Sequence, residues 1–326
     1  MRRGLFLCII GAAFLVAGAA YAQQAAKPYP SRQVRVVVPY PPGGPTDLIA
    51  RLLSQKLGER LGQSFFVENV NGASGAVGAG QVAQAAPDGH TLLLVTNDFA
   101  VASVTNTGLP YDPIKNFTPV TIIATSPQVV AINPSVPATT MKELVALVTA
   151  APEKYNYAAL GIGYGQLSAE RLFKLGLKLD GLTRVPFNGA APAINATLAG
   201  DTQIVYLGLP PVAPYLSSKK LRALAVTSAA RVDIFPNIPT LRESGIPDQE
   251  CDLVIGMVAP AGTAPEIVAT LQKQIADVVA LPDVKAILAK VSFEPVASSP
   301  AVFGQQIKDD IATWGKVMKD AHIPVN

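Results

Sequence analysis

The chain reads as an α/β protein whose two domains are interleaved along the sequence. Three observations predict this. Apolar or period-2 runs of strand length alternate with helical runs from end to end, the pattern of βα units. Several strand runs are unbroken Val, Ile and Leu, as in strands covered on both faces. The chain has 326 residues, long for one ordinary domain, yet no Pro/Gly/Ser linker divides it. A chain of that size without a linker crosses between its domains more than once.

Strands are predicted at residues 34–38, 65–68, 91–96, 120–124, 129–133, 183–187, 203–207, 224–227 and 254–258. Mostly parallel sheets follow from the alternation with helices. The helix at 46–61 places Leu48, Leu52, Leu53, Leu57 and Leu61 on one face, and similar patterns run over 140–149, 166–175, 190–198 and 266–279. The last helix starts from Ser299 as N-cap with Pro300 at its first position and repeats Phe303, Ile307, Ile311, Trp314 and Met318.

The N-terminus differs from the rest. Met1, Arg2 and Arg3 precede an apolar run over 5–16 and the small-residue pattern Ala20-Tyr21-Ala22. This is an export signal with cleavage expected before Gln23. Arg2 and Arg3 leave with it, so 24 basic residues face 23 acidic ones in the mature chain, and the charge gives no reason to expect nucleic acid or a membrane surface as partner. Cys8 leaves too. Cys251 then stands alone, unable to form an internal disulfide, and reads as a small buried hydrophobe.

Two glycine-rich turns are candidate anion sites. In Pro39-Tyr40-Pro41-Pro42-Gly43-Gly44-Pro45-Thr46-Asp47 a strand ends and a helix begins. The glycines let a ligand approach the backbone, Thr46 is a candidate N-cap, and a helix start offers unpaired N–H groups with a positive dipole end. The same words describe an ordinary βα turn. Gly161-Ile162-Gly163-Tyr164-Gly165-Gln166 repeats the device. It lacks the G-x-G-x-x-G spacing of a dinucleotide loop. The run 75–80 lacks it too and reads as close helix packing. Thr96-Asn97-Asp98, Phe187-Asn188-Gly189 and Leu207-Gly208 follow strands, where open α/β sheets place ligands; turn chemistry also explains each.

Catalytic constellations are missing. His90 and His322 are the two histidines, His90 in a turn entering a strand and His322 near the C-terminus. The sequence has no G-x-S-x-G elbow, no metal-spaced His/Cys/Glu cluster and no Walker loop. No enzyme activity, cofactor or metal is expected.

Pro39 to Asp47, followed by Leu-Ile-Ala-Arg, resembles the first binding loop of the Bug family, the periplasmic solute-binding proteins of tripartite tricarboxylate transporters. Further matches keep the same order: Glu68-Asn69 with Gly72-Ala73 and Gly75, Ala86-Pro87-Asp88-Gly89, Tyr111-Asp112-Pro113, Tyr157-Ala158, residues 161–163, Val185-Pro186-Phe187, residues 221–227, Pro239-Thr240 and residues 259–263. They cover essentially the whole mature chain.

The resemblance implies a type II periplasmic-binding-protein fold, with two α/β domains joined by two hinge strands and a ligand cleft between them. Residues 28–125 plus 228–326 form domain one and 126–227 domain two, with crossings near Thr125 and Thr227. The ligand is a small organic carboxylate, held by backbone amides, hydroxyls and water rather than an arginine. The partners are integral-membrane transporter subunits, and the protein is a monomer. The binding residues implied are Tyr40, Pro42, Gly43, Gly44, Thr46, Asp47, Thr96, Asn97, Gly161, Gly163, Tyr164, Gln166, Phe187, Asn188, Gly189, Leu207 and Gly208. Tyr164, Gly165 and Gln166 depart from the small hydroxyl residues and histidine usual there, Phe187-Asn188-Gly189 from the usual Tyr-Lys-Gly, and Leu207-Gly208 from an acidic or amide residue. The far end of the pocket is therefore expected to be less polar. A binding protein serving a sensor kinase would have the same sequence, and a periplasmic hydrolase would need a nucleophile or metal that the chain does not offer.

Overall fold

The computed structural model describes residues 29–161 and 163–325. The expected export segment and Cys8 lie outside them. Three parallel strands open the fold: β1 (Val34–Val38) lies between β2 (Phe65–Asn69) and β3 (Thr91–Thr96). Helices α1 (Pro45–Leu61), α2 (Ala76–Ala83) and α3 (Asp98–Thr105) connect and cover them. Val36 to Val38 and Leu92 to Leu94 are at most 1% exposed, so these strands are sealed on both faces, as their unbroken apolar runs require.

Strand β4 (Phe117–Ile132) then carries the chain into a second α/β group. That group comprises α4 (Met141–Ala150), β5 (Asn156–Leu160), α5 (Tyr164–Glu170), β6 (Thr183–Phe187), α6 (Ala190–Ala199), β7 (Ile204–Gly208), α7 (Leu209–Ser217) and β8 (Arg222–Val226). The chain returns through β9 (Asp252–Pro260), α8 (Pro265–Val279), α9 (Pro282–Lys290), the short β10 (Glu294–Pro295) and α10 (Pro300–Asp320). One curled sheet runs in the order β2-β1-β3-β9-β4-β7-β5-β6, with β8 and β10 also on β4.

The sequence expectations need four corrections. The strands expected at 120–124 and 129–133 are one strand of 16 residues. Pro127 does not break it, because the strand changes partners there: Phe117 to Pro127 pair with β9, and Gln128 to Ile132 with β7 and β8. Second, the sheet is mixed. It is parallel at its flanks and antiparallel wherever β4 or β9 takes part. Third, the inner face of α1 consists of Ile49, Ala50, Leu53, Ser54 and Leu57, while Leu48 is exposed; leucine spacing alone placed the stripe about one residue too far round. Fourth, the helix expected at 166–175 starts at Tyr164 and widens into a π-helix over Arg171–Gly176.

Local signals set other boundaries. Ser299 caps α10, accepting from the Val302 amide at 3.3 Å, and Thr140 and Glu143 form a reciprocal capping box on α4. The run 75–80 is a packing device: a Cβ on Gly78 would lie 2.7 Å from the Val70 carbonyl oxygen. In the first group, one core gathers around Leu93, Phe99, Phe117 and Phe303, and Val36, Val38, Leu92 and Leu94 are buried as well. The second has a core on each face of its strands. Val101, Trp314, Val317 and Met318 from the first group pack with Tyr164, Leu167 and Cys251 in a seam between the groups.

Candidate functional site

The loop after β1 is built from its own residues. Gly43 takes φ +91°, a conformation open to glycine. The helix N-cap is Gly44, not Thr46, and carries no side-chain cap. Pro45 explains the earlier start, since its fixed φ and missing N–H suit the first helical position. Asp47, in the first turn, accepts from the Gly43 amide at 3.0 Å, from Arg51 Nε at 3.0 Å and from Asn69 Nδ2 at 2.9 Å. Asn69 Nδ2 also donates to the Tyr40 carbonyl at 3.1 Å. Burial works to raise the Asp47 pKa, but the bonds from Arg51, Gly43 and Asn69 outweigh it and hold it down to about 2. Asp47 is thus an ionised brace, already neutralised by Arg51, and presents no uncompensated charge to an incoming anion.

The end of β3 supplies the next residues. Thr96 Oγ1 and the Tyr40 hydroxyl are 2.6 Å apart, joining the first loop to this strand end. Asn97 is committed to β9: its Nδ2 donates to the Asp252 carbonyl at 3.2 Å and its Oδ1 accepts from the Val254 amide at 2.7 Å. Asp98 reaches the other group, where its Oδ1 accepts the Tyr164 amide at 2.9 Å. Burial raises the Asp98 pKa and the Tyr164 bond opposes the rise. Burial, followed by the charge of Asp98, raises the phenols of Tyr40 and Tyr111.

The second loop is held from outside. The Gly161 amide donates to the Phe187 carbonyl at 3.1 Å. Gly163 has φ +92°, and a Cβ there would lie 2.5 Å from Asp98 Oδ1. The Tyr164 ring is buried in the seam, edge-on to Trp314 with centroids 5.2 Å apart. Its hydroxyl donates to the Asp252 carbonyl at 2.8 Å and lies 3.1 Å from Cys251 Sγ. Arg171 donates to the carbonyls of Glu250 and Asp248 at 3.1 and 2.5 Å. Cys251 is a packed thiol, pushed up to about 11 by burial and unsuited to nucleophilic work.

The structure therefore brings Tyr40, Thr96, Gly163 and the Tyr164 backbone together around Asp98. The Leu207 side chain lies in a core of the second group, and the Tyr164 ring lies in the seam, where it borders a cavity of about 390 Å³. Phe187 is half-buried against the same core as Leu207. Asn188 and Pro42 are exposed, Gln166 is half-buried, and Gly189 and Gly208 are the N-caps of α6 and α7. Asp98 belongs to the strand-end candidate Thr96-Asn97-Asp98 but was not among the binding residues that the resemblance implied. Among the described residues, no group of three or more His, Cys, Asp or Glu side chains could hold a metal ion.

Residues 49–323 match the tripartite tricarboxylate transporter family receptor. The chain belongs to that family. Over 322 residues it is 32% identical to protein BugT of Bordetella pertussis, covering 98% of each chain. Among solved structures, it is similar to an R. palustris protein with adipate, at 34% identity and a TM-score of 0.78, over 90% of this chain and 98% of that one. It is also similar to the periplasmic binding protein BugD, at 31% identity and a TM-score of 0.75, over 90% and 99%. The receptor thus has the two-domain fold of the periplasmic binding proteins of this family, and its role is solute binding for a tripartite tricarboxylate transporter.

Proposed function

We propose that the mature receptor begins at Gln23, works in the periplasm as a monomer, and captures a small organic carboxylate for the membrane subunits of its transporter without transforming it. The observation that carries the ligand site is the meeting of Tyr40, Thr96 and Asp98 from one α/β group with the first amide of α5 from the other. A molecule held there touches both groups. Residues 28–125 plus 228–326 then act as one domain and 126–227 as the other, turning about the crossings near Thr125 and Thr227. The partner change of β4 at Pro127 and Gln128 supports that hinge, as do the bonds of Thr227 Oγ1 to the Gln128 amide and the Cys251 carbonyl, both 2.9 Å.

The anion is held by the amides at the start of α1, near Gly44, Thr46 and Asp47. These are among the four N–H groups that a helix cannot satisfy itself, and they carry the positive end of a dipole of about half a charge. The adipate in the R. palustris relative supports this class of ligand.

Thermal unfolding with adipate, with other mono- and dicarboxylates and with their amides tests the reading. A carboxylate present at about 100 times its Kd stabilises by about 2.7 kcal/mol, a shift of several degrees for domains of this size. If the amides raise the midpoint as much as the acids do, the anion site is not there.

A further inference from the structure

Asp98 is out of place in a site made only for carboxylates. It follows β3 directly and is the first residue of α3. One oxygen, Oδ1, is committed to the Tyr164 amide at 2.9 Å, in a space that exists because residue 163 has no side chain. Among the described residues, Oδ2 has no hydrogen-bonding partner, and the residue keeps partial contact with solvent. The groups that face it are the Tyr40 and Tyr111 phenols, which feel its charge, and the Thr96 hydroxyl, 3.4 Å from its own amide. None of these brings a positive charge. A surrounded carboxylate with one open oxygen and no cation costs free energy until a donor or cation reaches it, and it repels any second anion placed against it.

We propose that Asp98 sets the specificity of the cleft: its Oδ2 receives an ammonium group of the solute, so the receptor takes amino-carboxylates in preference to acids whose polar groups are all anionic. The inference rests on the carboxylate reading above and adds a second recognition point to it. The solute's carboxylate lies at the α1 amides, and its ammonium at Asp98. The 2.6 Å Tyr40–Thr96 contact joins the loop before α1 to the strand end that carries Asp98. Asp98 is a binding residue that also ties the two α/β groups through Tyr164.

Calorimetry with two matched pairs of acids tests this. Adipate and 2-aminoadipate share a carbon skeleton and differ by the ammonium group, as do succinate and aspartate. The wild-type protein is expected to bind the amino member of at least one pair ten times or more tightly than its partner. Asp98→Asn and Asp98→Ser should erase that preference or reverse it, chiefly by strengthening the plain acids. Equal affinities within both pairs for wild type would overturn the proposal, whether or not the variants fold. So would a preference that both variants retain, since Asp98 would then be a tie between the groups and nothing more. If wild type and variants bind none of the four acids, the carboxylate reading has failed and this inference falls with it.

Discussion

The two glycine turns look alike in sequence and are held in opposite ways. The first, around Gly43 and Gly44, is braced by Asp47, Asn69 and Arg51, all within its own α/β group. The second, around Gly163 and Tyr164, is fixed by Asp98, Asp252, Cys251 and Trp314, which belong to the other group and the returning strand. The first loop can keep its shape whatever the rest of the molecule does. The second keeps its shape through contacts that cross the seam. A glycine turn that binds by backbone amides needs rigid support, and the source of that support decides whether binding is felt locally or across the molecule.

The largest break in this comparison should come from Tyr164→Ala. It removes a buried ring, its edge-on contact with Trp314 and its hydroxyl bond to the Asp252 carbonyl. Truncating a buried aromatic costs about 3–5 kcal/mol, which urea unfolding would register as a lower midpoint. Tyr164→Phe keeps the ring and loses one buried bond, worth about 1–2 kcal/mol. Asp47→Asn should cost much less than Tyr164→Ala, because its bonds are local and partly open to water. If the Asp47 change were the more damaging, the contrast between local and long-range support would be wrong.

The same contrast explains what was legible in the sequence. Boundaries written in neighbouring residues were readable: Ser299 and Pro300 at the start of α10, the valines of β1, the strand–loop–helix order of Pro39 to Asp47. The packing role of Gly78 was readable because the run 75–80 has no phosphate-binding spacing. Features written in distant partners were not. Pro127 looks like a strand breaker until β9 and β7 are seen to share β4. The resemblance implied Leu207 and Tyr164 as binding residues, and their side chains belong to a core and to the seam. Asp98 carries no local mark of its role. The Tyr164 amide it binds is 66 residues away.

Two carboxylates sharpen the comparison through pH. Asp47, in the first loop, is held down to about 2. Its unfolded value is near 3.9, so the folded state gains from its ionisation above about pH 4. That gain fades as pH falls toward 2. Asp252, beside the second loop, is pushed up to about 6, first by burial and then by Glu294. Its sign is opposite: stability is lost as pH rises from about 4 to about 6 and stays lost above that. Asp310 is also raised to about 6, again by burial first, and lines the same cavity of about 390 Å³ as Asp252. Asp252→Asn should therefore stabilise the protein at pH 7.5 relative to wild type and have little effect at pH 4. Asp47→Asn should destabilise at pH 7.5, with the difference shrinking below pH 4. Unfolding midpoints across that range decide, and the same pH trend in both variants would contradict the assignment.

The smallest expected effect on stability is the most informative about binding. Gly44 has φ −79°, within reach of any residue, and a Cβ added there meets nothing within 4 Å. Gly44→Ala should thus leave folding within about 0.5 kcal/mol of wild type, as for surface changes that touch no special feature. Gly163→Ala is the counterpart. It asks for φ +92° and sets a methyl 2.5 Å from Asp98 Oδ1, so strain of about 1–3 kcal/mol should lower the midpoint and loosen the tie to Asp98. If the first loop receives a carboxylate, the Gly44 methyl stands where the ligand approaches the amides, and adipate or 2-aminoadipate should bind at least ten times more weakly with no change in the apo midpoint. If Gly44→Ala binds as wild type does, the open space beside Gly44 is only solvent. The first loop is then a rigid turn, and the binding amides must be sought at the second loop alone.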